Sequence, residues 1–278
     1  MFEQLYKPKF LKSKPRYAFL LGFAYCIIGV FSAKLIFGSN PGLMSVAFTS
    51  ILLIPLLNNL LSISEKAETR EKGFNLKVLF MDHKDLFKIY FLAFMGIFCA
   101  YLIFAIVWPV DFSIFYLSPQ LKVAGIAGSA INGNSAFFFN ILKNNMIVLI
   151  ACLFLSFFYG AGSILFIAWN ASVWGSVFGF RIKEVIIYSN QNWASAFLYT
   201  IIPVLPHMIT EGLSYFAAAI VGGVVSKAFL SEQFGSKRFK KVINDAMIFF
   251  VLAFILVVVG AFLEVYIFPY LVSWISHI

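Results

Sequence analysis

The chain has 278 residues, of which 62% are hydrophobic and only 12% charged, with a net charge of +9. Soluble domains carry about a quarter charged residues, so a chain this apolar cannot cover itself with polar surface, and lipid is its expected solvent. The positive charge clusters beside hydrophobic runs, which is the pattern of topology signals and anionic headgroup contacts and not of nucleic-acid binding.

The chain opens on a basic tail with Lys7, Lys9, Lys12, Lys14 and Arg16. A first apolar run, about residues 17–37, is too long for a cleavable signal segment. Gly38-Ser39-Asn40-Pro41-Gly42 predicts a tight turn, and a second run, about 43–61, returns through the bilayer. A charged stretch of mixed sign follows over 62–88, then a third run over 89–110. Residues 111–135 read as a polar-to-neutral connection holding Pro119, Gly125, Gly128 and Gly133. A fourth run covers 137–158, Gly160-Ala161-Gly162 breaks it, and a fifth covers 164–180. The piece 193–206, with Pro203 and Pro206, predicts a short interfacial or re-entrant segment before a sixth helix that starts near His207. A basic stretch, Lys227 to Lys241, precedes the seventh run at about 246–270.

Basic residues mark the cytoplasmic ends of membrane helices. The N-terminal tail, the 62–88 stretch and the 227–241 stretch are all basic, and seven passes connect them without contradiction. The expected fold is therefore all-α: a polytopic transmembrane bundle of about seven spans with a cytoplasmic N-terminus, located in the cell membrane. Arg181 and Lys183 fall on the outer side against this bias. Residues 1–88 read as a basic tail, a transmembrane hairpin and a charged cytoplasmic loop; residues 89–278 read as the membrane core. Cys26, Cys99 and Cys152 lie inside hydrophobic runs at wide spacing and read as small buried hydrophobes, with no C-x-x-C pair.

Polar residues inside the spans each need a partner or a purpose. Asn140 and Asn144 share a face of the fourth span, four residues apart, near its outer end. Asn170 lies near the middle of the fifth. His207 and Glu211 again share a face at the outer end of the sixth, and Glu264 is expected near the outer boundary in the seventh. These positions converge on the outer half of the bilayer. Two readings stand: polar glue between helices, or a functional cavity. His207 and Glu211 supply two metal ligands where a catalytic zinc wants three, and no H-E-x-x-H is present, so neither a metal nor another cofactor is expected. No Gly-x-Ser-x-Gly elbow and no aspartate pair in the spans points to intramembrane proteolysis. No residue is assigned a catalytic role. Gly175 and Gly179 form a small-xxx-small element suited to close helix packing.

Three segments carry a family resemblance: Phe139-Asn140-Ile141-Leu142-Lys143-Asn144-Asn145, Trp169-Asn170-Ala171-Ser172-Val173-Trp174-Gly175, and Pro206-His207-Met208-Ile209-Thr210-Glu211. In this order, over about residues 89–270, they resemble the stage II sporulation protein M family, especially its archaeal branch. Met208 stands where the family pattern has glycine. The resemblance implies an all-helical membrane core, with Asn140, Asn144, Asn170, His207 and Glu211 as the polar signature. It also implies a scaffold role, since family members in spore-forming bacteria hold cell-wall hydrolases at the membrane. The expected function is a membrane scaffold or remodelling protein rather than an enzyme. Its expected partners are the bilayer, other membrane proteins and a second copy of the chain. The alternatives are a transporter, channel or lipid-handling protein using His207 and Glu211, and behind it an intramembrane hydrolase.

Overall fold

Backbone amides and carbonyls find no water partners in a bilayer core, so a chain of this composition crosses it as helices that satisfy those groups internally. The computed structural model describes residues 8–39, 41–68, 76–127, 135–189 and 192–276. Lys7, Asn40, Arg70, Lys72, Gly128, Gly133 and His277 lie outside the described residues. Among the described residues no strand occurs.

The helices are α1 (Pro8–Ser13), α2 (Arg16–Ile36), α3 (Pro41–Glu68), α4 (Leu76–Val107), α5 (Val110–Tyr116), α6 (Ser118–Ala127), α7 (Ser135–Tyr159), α8 (Ile164–Ser189), α9 (Trp193–Ile201), α10 (Leu205–Ser231), α11 (Lys237–Phe262) and α12 (Phe268–Ser276). A π-helical turn, Leu263–Ile267, joins the last two. Among the described residues seven segments are long and apolar enough to cross a membrane: α2, the first part of α3, most of α4, α7, α8 with the 3₁₀ turn before it, α10, and α11 running on into α12. The chain is thus a seven-span helical membrane protein.

Two helices form the spine. α4 packs against α2 and α8, and α10 packs against α7 and α11. α10 is buried nearly all round from Ser214 to Val224, as expected of a helix inside a bundle rather than at its edge. Gly175 and Gly179 of α8 lie on α4: a Cβ at Gly175 would sit 2.9 Å from the Tyr101 Cβ, and one at Gly179 would sit 2.8 Å from the Ala105 Cβ. The small-xxx-small element is therefore the seam between α4 and α8.

Residues 110–127, read from sequence as a connection, form two short helices with buried faces. The Tyr116 hydroxyl donates to the Val30 carbonyl at 2.6 Å, and Gln120 Nε2 donates to the Gly42 carbonyl at 2.9 Å. Both residues are fully buried. Burial pushes the Tyr116 phenol above its usual range, so it stays a neutral donor. Ser45 and Tyr101 share a hydrogen bond of 2.5 Å, and Lys183 Nζ donates to the carbonyl of Trp108, near the outer end of α4. Polar residues of the connection and of the outer helix ends thus fasten the top of the bundle. That occupation accounts for Lys183 on the side where the charge bias disfavours it.

Two internal rulers fix depth. Leu61 closes the second apolar run, and Gly223 of α10 packs on its side chain. Glu211 lies twelve residues outward along α10, ~18 Å at 1.5 Å per residue. Independently, the Phe216 ring lies 5.7 Å from that of Phe94, which is ~9 Å above Lys88, the last charged residue of α4. Glu211 lies ~7 Å further out. Both place it near the middle of a hydrocarbon core ~30 Å thick. The same scale starts α10 ~9 Å above Glu211, a few ångströms short of the outer boundary. α9, nine residues long, is too short to span. Its outward side chains Trp193, Phe197, Leu198 and Tyr199 are exposed apolar groups. The 193–206 segment is therefore not an eighth span: it is a short helix and a proline turn that present an apolar face away from the bundle.

Candidate functional site: a carboxyl pair within the bundle

The site is built on the first two turns of α10. Pro206 sits in the opening turn, where its missing N–H costs nothing. From there helical spacing puts His207, Thr210, Glu211 and Ser214 on one stripe. The opposite stripe, Met208, Ile209, Gly212, Leu213 and Phe216, lines an apolar groove facing Phe94 and Trp174. The polar stripe faces α7 and α11.

Glu211 is 6% exposed, as is Asn145 of α7, whose Nδ2 donates to Glu211 Oε1 at 2.5 Å. Thr210 closes its hydroxyl onto the His207 carbonyl, and Ser214 onto the Glu211 carbonyl, so neither is left unsatisfied. Glycine at 260 lets α11 approach this face. A Cβ there would sit 2.9 Å from Glu211 Cγ and 3.0 Å from Thr210 Oγ1.

One turn beyond Gly260 the helix widens. The Phe268 N–H bonds to Leu263 O, five residues back. Pro269 has no N–H for the Val265 carbonyl, and its ring crowds that carbonyl, which favours the wider spacing. Such π turns inside α-helices often mark working sites. This one carries Glu264, and it brings the Glu264 carboxyl against that of Glu211. A carboxyl–carboxyl hydrogen bond needs a proton on one partner, so the arrangement can hold one proton between α10 and α11. Sequence spacing put Glu264 near the outer boundary, in the same outer half as Glu211; Gly260, one turn before it, packs on Glu211.

The remaining expected residues are distributed as follows. His207 borders the pair, edge-on to the Phe268 ring with centroids 6.0 Å apart. Its Nδ1 is buried with no hydrogen-bond partner, and no hydrogen bond joins it to Glu211. Asn140 and Asn144 are exposed on the lipid side of α7. Asn170 is half-buried and bonds back to the Phe166 carbonyl of its own helix at 2.8 Å. Asn145, not singled out from sequence, makes the contact. A signal for it existed: Asn145, Leu149, Cys152 and Ser156 fall at helical spacing on one face, and all are buried. Among the described residues no three His, Cys, Asp or Glu side chains converge as a metal site.

Fold and site together define a seven-span integral membrane protein in which a carboxyl pair and an asparagine meet between three helices. The chain belongs to the stage II sporulation protein M family, whose sequence profile matches residues 18–269. The match takes in the N-terminal hairpin as well as the segments that carried the resemblance. Neither the curated proteins nor the solved structures yield a significant match.

Proposed function

We propose that the protein is a membrane scaffold, a rigid intramembrane body on which partners assemble or the bilayer is shaped. The observation that carries this reading is how the intramembrane polar groups are used. Asn145 and Glu211 are hydrogen-bonded to each other, and Glu211 meets Glu264. These contacts tie α7, α10 and α11 into one block. Interhelical polar contacts of this kind hold membrane bundles in a single arrangement. The family supports the same reading. The test is crosslinking in native membranes followed by identification of the adducts. Recovery of defined partner proteins supports a scaffold; recovery of the protein alone refutes it.

A second reading, transport through the carboxyl pair, is favoured by one specific arrangement. Both helices that bring the carboxyls together are interrupted beside them, α10 at its start after the α9 turn and α11 at the π turn. Broken helices at mid-membrane flank substrate and ion sites in transporters. Proteoliposomes decide it: a pH-driven flux lost in Glu211→Gln establishes transport, and tight vesicles with no flux of ions or lipids remove it.

A further inference from the structure

One outward stripe of α4 crosses the inner boundary of the membrane. Lys84, Lys88, Phe91 and Met95 follow one another at helical spacing and share a face. Lys88 marks the boundary, and Lys84 lies ~6 Å below it, within a headgroup layer ~5–7 Å deep. Both lysines are exposed, and no described carboxylate pairs with either. Above them Phe91 and Met95 form the α4 wall of the apolar groove whose other walls are Trp174 of α8 and the stripe Ile209, Leu213 and Phe216 of α10. The groove starts ~5 Å above Lys88 and reaches Ile209, ~3 Å beyond Glu211. It therefore occupies the half of a ~30 Å core that the chains of the inner leaflet fill. Phe91 and Ile209 are each about half exposed, so the groove is open along its side to lipid. Gly212 keeps it clear. At Gly22, Gly96, Gly175 and Gly222 an added Cβ would strike a backbone carbonyl of a neighbouring helix. Among the described residues Gly212 is the one glycine within a span whose Cβ would meet nothing closer than 3.9 Å, and that neighbour is the Phe216 ring. No helix approaches there, so the missing side chain serves only to leave room in the groove. α10 also ends in a lysine on this side: Lys227, part-exposed, is eighteen residues from Ile209 and in line with it, ~6 Å past Gly223.

We infer that this groove holds an anionic phospholipid of the protein's own inner leaflet, with an acyl chain along Phe91, Gly212 and Trp174 and its phosphate on Lys84, Lys88 and Lys227. Depth and charge select this occupant. The groove lies where inner-leaflet chains lie, and both long helices that wall it end in lysine at headgroup depth. A basic mouth at the cytoplasmic end of a groove between membrane helices is the arrangement that takes anionic headgroups. A neutral lipid would leave the lysines without a counter-charge. A second copy in the same orientation would bring its own lysines and arginines to this level, because the cytoplasmic ends of this chain are basic. Asp85, part-exposed between Lys84 and Lys88 in the chain, offsets some of the charge. The inference goes beyond both functional readings, since holding one lipid requires neither a partner protein nor a flux.

Trp174 lets the groove be read directly. The full chain is reconstituted into phosphatidylcholine bilayers, and lipid with brominated chains, which quenches tryptophan on contact, is titrated in as phosphatidylglycerol or as phosphatidylcholine. Trp174 is one of five tryptophans, and its share of the signal is the difference from Trp174→Phe. Half-quenching of Trp174 is expected at a mole fraction about tenfold lower for phosphatidylglycerol than for phosphatidylcholine, at roughly fivefold per cation less the offset from Asp85. Replacing Lys84, Lys88 and Lys227 together by Gln should reduce that advantage to within about twofold. Gly212→Leu fills the groove and should abolish the preferential quenching. Should that variant fail to fold, the lysine variant, altered only at exposed or part-exposed positions, decides alone. Equal quenching by the two lipids, an advantage unchanged in the lysine variant, or one retained in folded Gly212→Leu would overturn the inference. No quenching of Trp174 by either lipid would also overturn it and would assign the groove to a protein or a second copy. The readout is lipid contact and not partner recovery or flux, so its failure leaves both functional readings standing, and the converse also holds.

Discussion

Two adjacent asparagines provide the sharpest test of the site. Asn145 is 6% exposed and donates to Glu211; Asn144, the next residue on α7, faces outward and is exposed. Asn145→Ala removes the donor and leaves a carboxyl oxygen unsatisfied in a dry site. Stranding a buried acceptor costs ~1–3 kcal/mol, although measured interhelical hydrogen bonds in membranes average only ~0.6 and reach ~1.7 kcal/mol. The expected loss is about 1–2 kcal/mol. Asn144→Ala removes no protein contact and should stay within ~0.5 kcal/mol of wild type. The assay is thermal unfolding of the purified protein in one detergent, with both variants and the wild type run side by side. At ~2–4 °C per kcal/mol for a chain approaching this size, Asn145→Ala should melt several degrees lower and Asn144→Ala together with wild type. Equal shifts for the two variants, or a shift only in Asn144→Ala, would refute the assigned orientation of α7 and with it the site.

Glu211→Gln should be nearly neutral in the same assay, within ~0.5 kcal/mol or slightly stabilising, because an amide oxygen still accepts from Asn145 and its NH₂ can donate to Glu264 without a shared proton; a loss above ~2 kcal/mol would show that the negative charge itself holds the helices. Gly260→Ala puts a Cβ 2.9 Å from Glu211 Cγ and should cost ~1–3 kcal/mol by overpacking, which a melting point equal to wild type would contradict. Tyr116→Phe deletes the hydrogen bond to Val30 and should lower stability by about 1 kcal/mol, read from the same melts. For topology, a cysteine at exposed Gln233 should react with a membrane-impermeant thiol reagent only after the cells are opened, and one at exposed Asp111 should react in intact cells; the reverse pattern would invert the orientation.

Sequence alone determined the solvent, the number of spans and, through the distribution of lysine and arginine, the expected orientation. These properties are local, because a span needs only ~20 apolar residues in a row and sidedness is set by the charges at its ends. The proline-broken 193–206 piece and the Gly175–Gly179 seam were legible for the same reason: each is written within a few consecutive residues. His207, Glu211 and Glu264 were visible as polar residues where lipid was expected. Only the tertiary structure decided which of them meet. A span's sequence gives the angles between its own side chains but not its rotation relative to its neighbours, and one residue of rotation, ~100°, separates lipid-facing Asn144 from Asn145 at the carboxyl pair. Counting residues placed Glu264 near the outer boundary of its span; only the packing of α11, with Gly260 on Glu211, shows which helix it meets. Helix register and rotation are set by packing against other helices, and that information is spread over residues far apart in the chain.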